Sequence, residues 1–360
     1  MSKPDLEQTE RAWVIPILLG ALLTVLSAWL VVIELAQPKS TATFRGIRFS
    51  NTINSAGARN TVYYFREQLD WLPRPFKDDF LSPTVYLANL RGIFIAMFLI
   101  QIAALILVRR GPLASPHLWA VGPAAACLAL LLYPPTSTDI YAYASFGWVA
   151  DEGSNPYTVV PKSILGDPYH TFNDWTHITT PYGPIWTWIS QLLVHMSGQD
   201  PFWTTILFKL VATLSAFGLA YATLALAKRF TTDPRLQLTA FIYVLWSPIL
   251  LFESAGPVHL DALMMLFAVT GLLVATGTKI RSPRLGLVIA TGSALIKPAT
   301  LPLLGLMGIT RFNRADPWPI IIRRIAGDIV VVLATILLAY LAFIDSAFIH
   351  ATDKMAHDVF

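Results

Sequence analysis

The sequence predicts an all-α protein that crosses a membrane several times, and three observations support this prediction. Of the 360 residues, 55% are hydrophobic and 13% are charged, whereas a typical soluble domain has about 25% charged residues. Uncharged stretches of about 20 residues recur along the chain, and this length matches the hydrocarbon core of a bilayer. The basic residues lie in short clusters between these stretches, a distribution that orients helices in a membrane and argues against nucleic-acid binding.

The apolar stretches predict about eight spanning or re-entrant helices. The first, 13–33, is longer than the apolar region of about 7 to 15 residues in a cleaved signal peptide, so we expect a retained spanning helix. Each of the seven that follow can cross a bilayer with modest tilt. They lie at 90–108, 118–133, 202–227, 236–252, 260–276, 285–309 and 325–349. Lys209, near one end of its stretch, is expected to snorkel to the membrane surface.

Short basic loops predict the orientation of these helices. Loops at 109–110, 228–235, 279–284 and 311–324 carry the arginines and lysines that favour the cytoplasmic side. All four can be cytoplasmic only if two apolar segments do not cross the membrane. The amino terminus is then cytoplasmic, and the polar segments 37–89, 134–184 and 253–261 face the outside. The basic residues of 37–89 are compatible with this because long loops translocate largely regardless of charge.

Two segments are expected not to cross. The segment 185–196 is short and carries Trp186 and Trp188, which predicts an interfacial helix with an aromatic anchor. The segment 285–309 has Lys297 and Pro298 at its centre, which predicts two half-helices turning around a polar site. The inverted orientation stays open, and it would place Asp139 and His259 on opposite sides.

A long loop from Tyr133 to Trp188 is dense in Tyr, Trp, Pro, Gly and acidic residues. Loops of this length usually have a function when they are ordered, and aromatic faces beside carboxylates suit a sugar ligand. The alternative is that the aromatic side chains only form a belt at headgroup depth. The residues concerned are Tyr141, Tyr143, Trp148, Trp175, Trp186 and Trp188.

Asp139 follows two prolines and three hydroxyl residues at the end of an apolar stretch. A carboxylate at the membrane surface can accept a proton from an incoming hydroxyl group. Asp139 is equally well explained as the N-cap of a helix that begins at Ile140.

Glu253, His259 and Asp261 form a second polar cluster, where Gly256 and Pro257 interrupt the apolar pattern. His259 and Asp261 can face one cavity if the next helix begins after them. Alternatively, Asp261 caps that helix and His259 is a surface histidine.

The sequence gives no support for a metal or another cofactor. It has no HExxH-type spacing, and a single carboxylate at Asp139 is a poor site for a divalent ion. Its one cysteine, Cys127, excludes an intrachain disulfide. No Walker loop, GxGxxG or GxSxG motif is present, so the energy for any reaction must come with the substrate.

Lys297 is an ionisable residue inside an apolar stretch, a placement that costs about 2.5 to 3.5 kcal/mol in insertion experiments. Such a residue is a functional candidate, and its natural partner is an anion at the bilayer surface, such as a lipid-linked phosphate. The alternative is a lysine that pairs with an internal carboxylate or snorkels to the interface.

Several short motifs resemble, in order and spacing, those of a known enzyme family. They are Ser137-Thr138-Asp139-Ile140-Tyr141-Ala142-Tyr143, Gly153 with Asn155-Pro156-Tyr157, Gly166-Asp167-Pro168, Tyr182-Gly183-Pro184, His259 with Asp261, and Lys297-Pro298-Ala299. The family is the GT-C superfamily of integral-membrane glycosyltransferases, and within it the polyprenol-phosphate-mannose-dependent α-mannosyltransferases of bacterial lipoglycan assembly. The first motif resembles its Ser-any-Asp-Val-Tyr-any-Tyr signature, and the last two resemble its Gly-His-any-Asp and Lys-Pro-Ala elements. Val258 stands where that family usually has glycine.

This resemblance implies transfer of a mannosyl or other hexosyl group from a polyprenyl monophosphate to a glycan or glycolipid, with inversion. The acceptor and active site would lie outside the cytoplasm, at the plasma membrane. The resemblance implies that Asp139 is the catalytic base and that Lys297 and His259 bind the donor phosphate. The sugar or acceptor contacts that it implies are Tyr141, Tyr143, Tyr157, Tyr182, Glu253 and Asp261.

With these roles the chain divides into four segments. They are amino-terminal helices with an external basic loop (1–133), an external catalytic loop with interfacial helices (134–201), transmembrane helices with the donor-phosphate site (202–349), and the start of a further external loop (350–360). Enzymes of this family usually continue through more helices, so we expect a truncated or split enzyme whose missing helices come from a second subunit. The other functions considered are a transporter or flippase of lipid-linked sugars, and an inactive fragment.

Overall fold

The computed structural model describes most of the apolar part of the chain. The described residues are 6–35, 61, 64–65, 67–69, 83–111, 113–277, 282–309 and 316–345. Most of the predicted basic loop 37–89 and all of the predicted loop 350–360 lie outside them. Every regular element in the described ranges is a helix, which confirms the all-α prediction.

The helices are numbered here in chain order. They are α1 (Leu6–Leu35), α2 (Pro83–Arg110), α3 (Pro116–Leu130), α4 (Asp139–Asp151), α5 (Pro184–Met196), α6 (Pro201–Phe230), α7 (Pro234–Leu245), α8 (Pro248–Ala255), α9 (Asp261–Ala275), α10 (Pro283–Ala294), α11 (Leu301–Ile309) and α12 (Trp318–Tyr340). Short 3₁₀ turns lie at Pro161–Ser163, Pro298–Thr300 and Leu341–Phe343. The chain forms two compact units, the first made of Met1–Ile140 and Thr205–Ala262, the second of Tyr141–Thr204 and Leu263–Phe360.

Local sequence signals explain where many of these helices begin. Proline occupies the first position of seven of them, where its missing N–H is not needed and its fixed φ is already helical. Five helices also have a polar N-cap side chain that accepts a hydrogen bond from the first turn. These caps are Ser115, Asp200, Asp233, Ser247 and Ser282.

In the first unit, α1 and α3 pack closely because glycine occupies both sides of the contact. A Cβ added to Gly20 would lie 2.6 Å from the Cα of Gly122, and such small residues let apolar helices approach each other closely. The C-cap of α7 is joined to α3, since Trp246 Nε1 donates to the carbonyl oxygen of Trp119 at 2.8 Å.

Among the residues that the structure describes, four helices are long and apolar enough to cross a membrane: Trp13–Leu35 in α1, Val85–Arg110 in α2, α6, and Trp318–Phe343 at α12. The bent pair α7 and α8, at 44°, would make a fifth span. The predicted count of about eight is not confirmed, because Pro116–Leu130, Asp261–Ala275 and Pro298–Ile309 are apolar but shorter.

Neither of the two segments predicted not to cross forms a single helix long enough to span a membrane. The first, α5, has 13 residues. The second is broken as predicted, because α10 ends at Ala294, Lys297 is extended with φ −147° and ψ 128°, and α11 begins at Leu301.

Candidate active site

In the first unit, Asp139, Glu253 and His259 come together, with the imidazole ring between the two carboxylates. His259 Nδ1 lies 2.5 Å from Glu253 Oε2, and His259 Nε2 lies 3.6 Å from Asp139 Oδ2. The backbone N–H of His259 also donates to the carbonyl oxygen of Glu253 at 2.8 Å. The structure therefore joins two clusters that the sequence presents more than 100 residues apart. We call these three residues the acid–imidazole group.

The turn between α8 and α9 places Glu253 and His259. The N–H of Gly256 donates to the carbonyl oxygen of Phe252 at 2.7 Å, which ends α8. A Cβ on Gly256 would come 2.7 Å from that same oxygen, so the close approach requires glycine. The predicted interruption of the apolar pattern is thus a tight turn that returns His259 to Glu253.

Val258 has a left-handed backbone with φ +65° and is fully buried. A β-branched residue rarely adopts this conformation because its side chain crowds the backbone. Glycine adopts it readily. Val258 stands where the resembled family has glycine, and its backbone therefore has the conformation that glycine adopts readily, just before His259.

Asp139 is the first residue of α4, and its backbone N–H donates to Ser137 Oγ at 3.3 Å. A carboxylate in the first turn of a helix is stabilised by the helix dipole. Asp261 is likewise the first residue of α9 and is partly buried. The sequence-based roles of both residues stay predictions.

The carboxylates raise the pKa of His259 to about 9. The interaction with Asp139 is the largest cause, the hydrogen bond to Glu253 is the second, and burial opposes both. The side chains of Asp139 and His259 are 30% and 31% exposed, so solvent reaches the group. At neutral pH the ring is an imidazolium ion facing a carboxylate at each nitrogen, and the alternative of an isolated surface histidine does not fit this environment.

In the second unit, Lys297 is half-buried at the break between α10 and α11. Its N–H donates to the carbonyl oxygen of Ser293 at 3.2 Å. Ser293 Oγ in turn donates to the carbonyl oxygen of Met264 at 2.7 Å and lies 2.8 Å from Thr300 Oγ1. These bonds fix the broken backbone, while the role of Lys297 toward a phosphate stays a prediction.

Two of the predicted sugar-binding tyrosines, Tyr143 and Tyr182, lie in an aromatic cluster in the second unit. The ring of a third, Tyr157, lies against Tyr340 and Phe343. The ring of Tyr143 lies edge-on to Tyr182, with 5.0 Å between centroids, and to Trp186, with 5.2 Å. Tyr157 donates its O–H to the carbonyl oxygen of Tyr182 at 3.0 Å. Burial raises the pKa of Tyr157, so its phenol stays neutral. Tyr141 lies apart from this cluster against Phe172, at 4.9 Å.

Burial separates the aromatic residues of the long loop into two sets. Tyr141, Tyr143, Trp148 and Trp186 are buried in protein, so the membrane-belt alternative does not describe them. Trp175 and Trp188 are exposed and fit that alternative.

Sequence reasoning missed a buried polar network in the first unit. Lys209 is fully buried and donates to backbone carbonyl oxygens, so the prediction that it snorkels is wrong. Glu34, at the end of α1, is also buried and accepts hydrogen bonds from Tyr86 and Tyr133. In the sequence, each of these residues is a single ionisable side chain in or beside an apolar stretch, and this pattern could have indicated a buried polar contact.

Within the described ranges, no group of three or more His, Cys, Asp or Glu side chains has an arrangement that could hold a metal ion. By its own side chains, the acid–imidazole group offers proton transfer and charge pairing. A carboxylate that is held beside a cation and reached by solvent can orient and deprotonate a hydroxyl group.

Comparison with known proteins identifies relatives of this chain. The family model described as alpha-(1->6)-mannopyranosyltransferase, N-terminal domain, matches residues 67–313. An alpha-(1->6)-mannopyranosyltransferase of Mycobacterium tuberculosis is 28% identical over 58% of this chain and 37% of its own length. An alpha-(1->6)-mannopyranosyltransferase A of Corynebacterium glutamicum is 24% identical over 50% of this chain and 36% of its own length.

A probable alpha-(1->6)-mannopyranosyltransferase of Mycolicibacterium smegmatis is 30% identical over 41% of this chain and 26% of its own length. The chain thus spans about a quarter to two fifths of the length of these curated relatives. No solved structure matches the chain significantly.

Proposed function

The chain belongs to the family of alpha-(1->6)-mannopyranosyltransferase N-terminal domains, and we propose that it acts in a membrane mannosyltransferase of the GT-C type. The donor is a mannose linked to a polyprenyl monophosphate, and the acceptor is a glycan or glycolipid outside the cytoplasm. The apolar spans support a membrane location, and the family favours group transfer over the transport of lipid-linked sugars.

The acid–imidazole group is the observation that carries this proposal. An acceptor hydroxyl oxygen attacks the anomeric carbon and forms the new glycosidic bond while the bond to the phosphate oxygen breaks. The hydroxyl proton passes to Asp139, and polyprenyl phosphate leaves with the electron pair. Because a phosphate is a good leaving anion, the reaction needs one carboxylate base and no second acid. Attack in line inverts the anomeric carbon.

We propose that His259 holds the carboxylate of Asp139 in position. Both ring nitrogens face carboxylates, at 2.5 Å and 3.6 Å, and the imidazolium charge is thereby compensated before any phosphate arrives. Glu253 accordingly orients His259, as the third member of a catalytic triad orients its histidine. These assignments replace the roles in phosphate and sugar binding that the family resemblance implied for His259 and Glu253.

Lys297 keeps the role of contacting the donor phosphate. Its segment is held by backbone bonds at the end of a broken helix, and irregular backbone at membrane depth is typical of ligand sites. The tyrosines at 141, 143, 157 and 182 keep their assignment to sugar or acceptor contacts. That no metal takes part stays a prediction, and transfer retained in EDTA would support it.

The test is transfer of labelled mannose from polyprenyl phosphate to an oligomannoside in membranes that contain the chain. Asp139→Asn removes the proposed base at nearly constant size. Asp233→Asn is the matched control, because Asp233 caps α7 and asparagine is an equally good cap. Loss of transfer in Asp139→Asn alone is expected. Equal transfer by both variants would exclude the base role, and no transfer by the wild type would overturn the activity assigned to this chain.

A further inference from the structure

Tyr133 is held at three points in the first unit. Its carbonyl oxygen accepts a hydrogen bond from Lys209 Nζ at 2.5 Å. Its phenol donates to Glu34 Oε2 at 3.1 Å. Its ring lies edge-on against Phe252, with 5.2 Å between centroids. The residue is 2% exposed, so its backbone, its hydroxyl group and its ring are all fixed by protein contacts.

Lys209 fixes the backbone at this point. Besides Tyr133, its Nζ donates to the carbonyl oxygens of Leu130 at 3.3 Å and Leu131 at 3.0 Å. These carbonyls lie at the end of α3, where helical carbonyl groups lack partners within the helix. Lys209 therefore links the end of α3 to the start of the segment that leads to Asp139.

Glu34 fixes the phenol. Its Oε2 accepts from Tyr133 and, at 2.7 Å, from the phenol of Tyr86 on α2. A buried carboxyl group requires such partners because burying a polar group without hydrogen bonds is costly. The carboxylate thus ties the end of α1 and the start of α2 to Tyr133.

Tyr133 is connected to the two segments whose carboxylates face His259, to one along the chain and to the other through a ring contact. Along the chain it precedes Asp139 by six residues, and two of those are Pro134 and Pro135, whose fixed φ limits the freedom of the connection. Across space its ring contacts Phe252, the residue directly before Glu253. A shift of Tyr133 is therefore passed to Asp139 through the loop and to Glu253 through α8.

We propose that Tyr133, locked by Glu34 and Lys209, is a positioning residue that sets the distance between Asp139 and His259. The expected effect on kcat rests on the proposed mannosyl transfer. The expected effect on the geometry around His259 rests on the contacts of the first unit alone, so the two effects can be tested separately.

The test compares Tyr133→Phe with Tyr86→Phe. Each variant keeps its aromatic ring and removes one phenol O–H from Glu34, so their general effects on the fold are matched. The first readout is the pKa of His259, measured by NMR on the purified full chain with labelled histidine. The resonance is assigned among the seven histidines by its loss in His259→Gln. Tyr133→Phe is expected to lower this pKa from about 9, because Asp139 moves away from the ring, whereas Tyr86→Phe leaves it unchanged.

The second readout is the transfer reaction. Tyr133→Phe is expected to lower kcat about tenfold at unchanged KM, since small misplacements of a catalytic group cost rate more than binding, and Tyr86→Phe keeps kcat within about twofold. Equal effects of the two variants on the pKa of His259, or no effect of either, would overturn the positioning role. If the wild type lacks transfer, the proposed function fails while the NMR comparison still decides the positioning role.

A second variant covers the case in which Tyr133→Phe does not fold. Phe252→Leu removes the edge-on ring contact and keeps α8 apolar. A lowered pKa of His259 in this variant would support the positioning role, and a pKa equal to that of the wild type would contradict it.

Discussion

Gly183 lies directly against the backbone of Leu295, with no room for a side-chain carbon between them. The N–H of Gly183 donates to the carbonyl oxygen of Ile296 at 3.1 Å, and the N–H of Ile185 donates to that of Leu295 at 3.3 Å. The Tyr-Gly-Pro element and the residues that precede Lys297 are therefore joined through backbone contacts within the second unit. Two motifs that the sequence places more than 100 residues apart form one structural element.

Replacing Gly183 by alanine is expected to destabilise the protein, because the new methyl group would collide with the Leu295 carbonyl group. Overpacking of this kind costs about 1 to 3 kcal/mol, and a lower melting temperature in detergent would show it. Gly305→Ala is the matched control, since a Cβ at Gly305 meets nothing within 4 Å and alanine suits a helix better than glycine. A Gly183→Ala protein as stable as Gly305→Ala would contradict the close contact.

At Val258, glycine is expected to be more stable than alanine. Both substitutions lose the buried side chain, but only glycine relieves the left-handed backbone at φ +65°, which costs a non-glycine residue about 1 to 2 kcal/mol. In ordinary helical positions the order is reversed by about 1 kcal/mol. Denaturation of Val258→Gly and Val258→Ala in the same detergent measures the order, and the usual order at this position would disprove the strain.

The stability of the fold should fall as the pH rises from near 6.5 to about 9. The pKa of His259 is raised from 6.5 to about 9 in the folded protein, so protonation favours the folded state. This contribution is complete below the unfolded-state pKa and is lost as the pH passes the folded-state pKa. After allowance for partial exposure we expect about 1 to 2 kcal/mol. Melting temperatures across this range measure it, and a slope that persists unchanged in His259→Gln would assign it to another group.

Lys297→Met is expected to raise the KM for the polyprenyl phosphate donor by about tenfold or more, because a charge-assisted contact to phosphate contributes roughly 1.5 to 3 kcal/mol. The matched control is Lys228→Met, an exposed lysine at the end of α6. Transfer kinetics over a range of donor concentrations provide the measurement. Unchanged donor kinetics in a folded Lys297→Met protein would refute the assignment of Lys297 to the phosphate.

Features that depend on neighbouring residues could be predicted from the sequence. Proline and capping residues set the starts of α3, α7, α8 and α10, and the Lys297-Pro298 pair predicted the break before α11. Glycine and proline at 256 and 257 predicted the interruption before His259. These features follow from φ restrictions, lost N–H donors and local side-chain caps, which act within a few residues.

Contacts between distant residues became known from the folded structure. It placed His259 between Asp139 and Glu253, and it buried Lys209, which local sequence had placed at a membrane surface. Among the described residues, the structure also has fewer long apolar helices than the hydropathy pattern predicted, because several apolar stretches are divided between short helices and turns. The physical reason is that ion pairing and burial depend on packing between helices far apart in the chain, whereas periodicity and composition report only on each segment and its solvent.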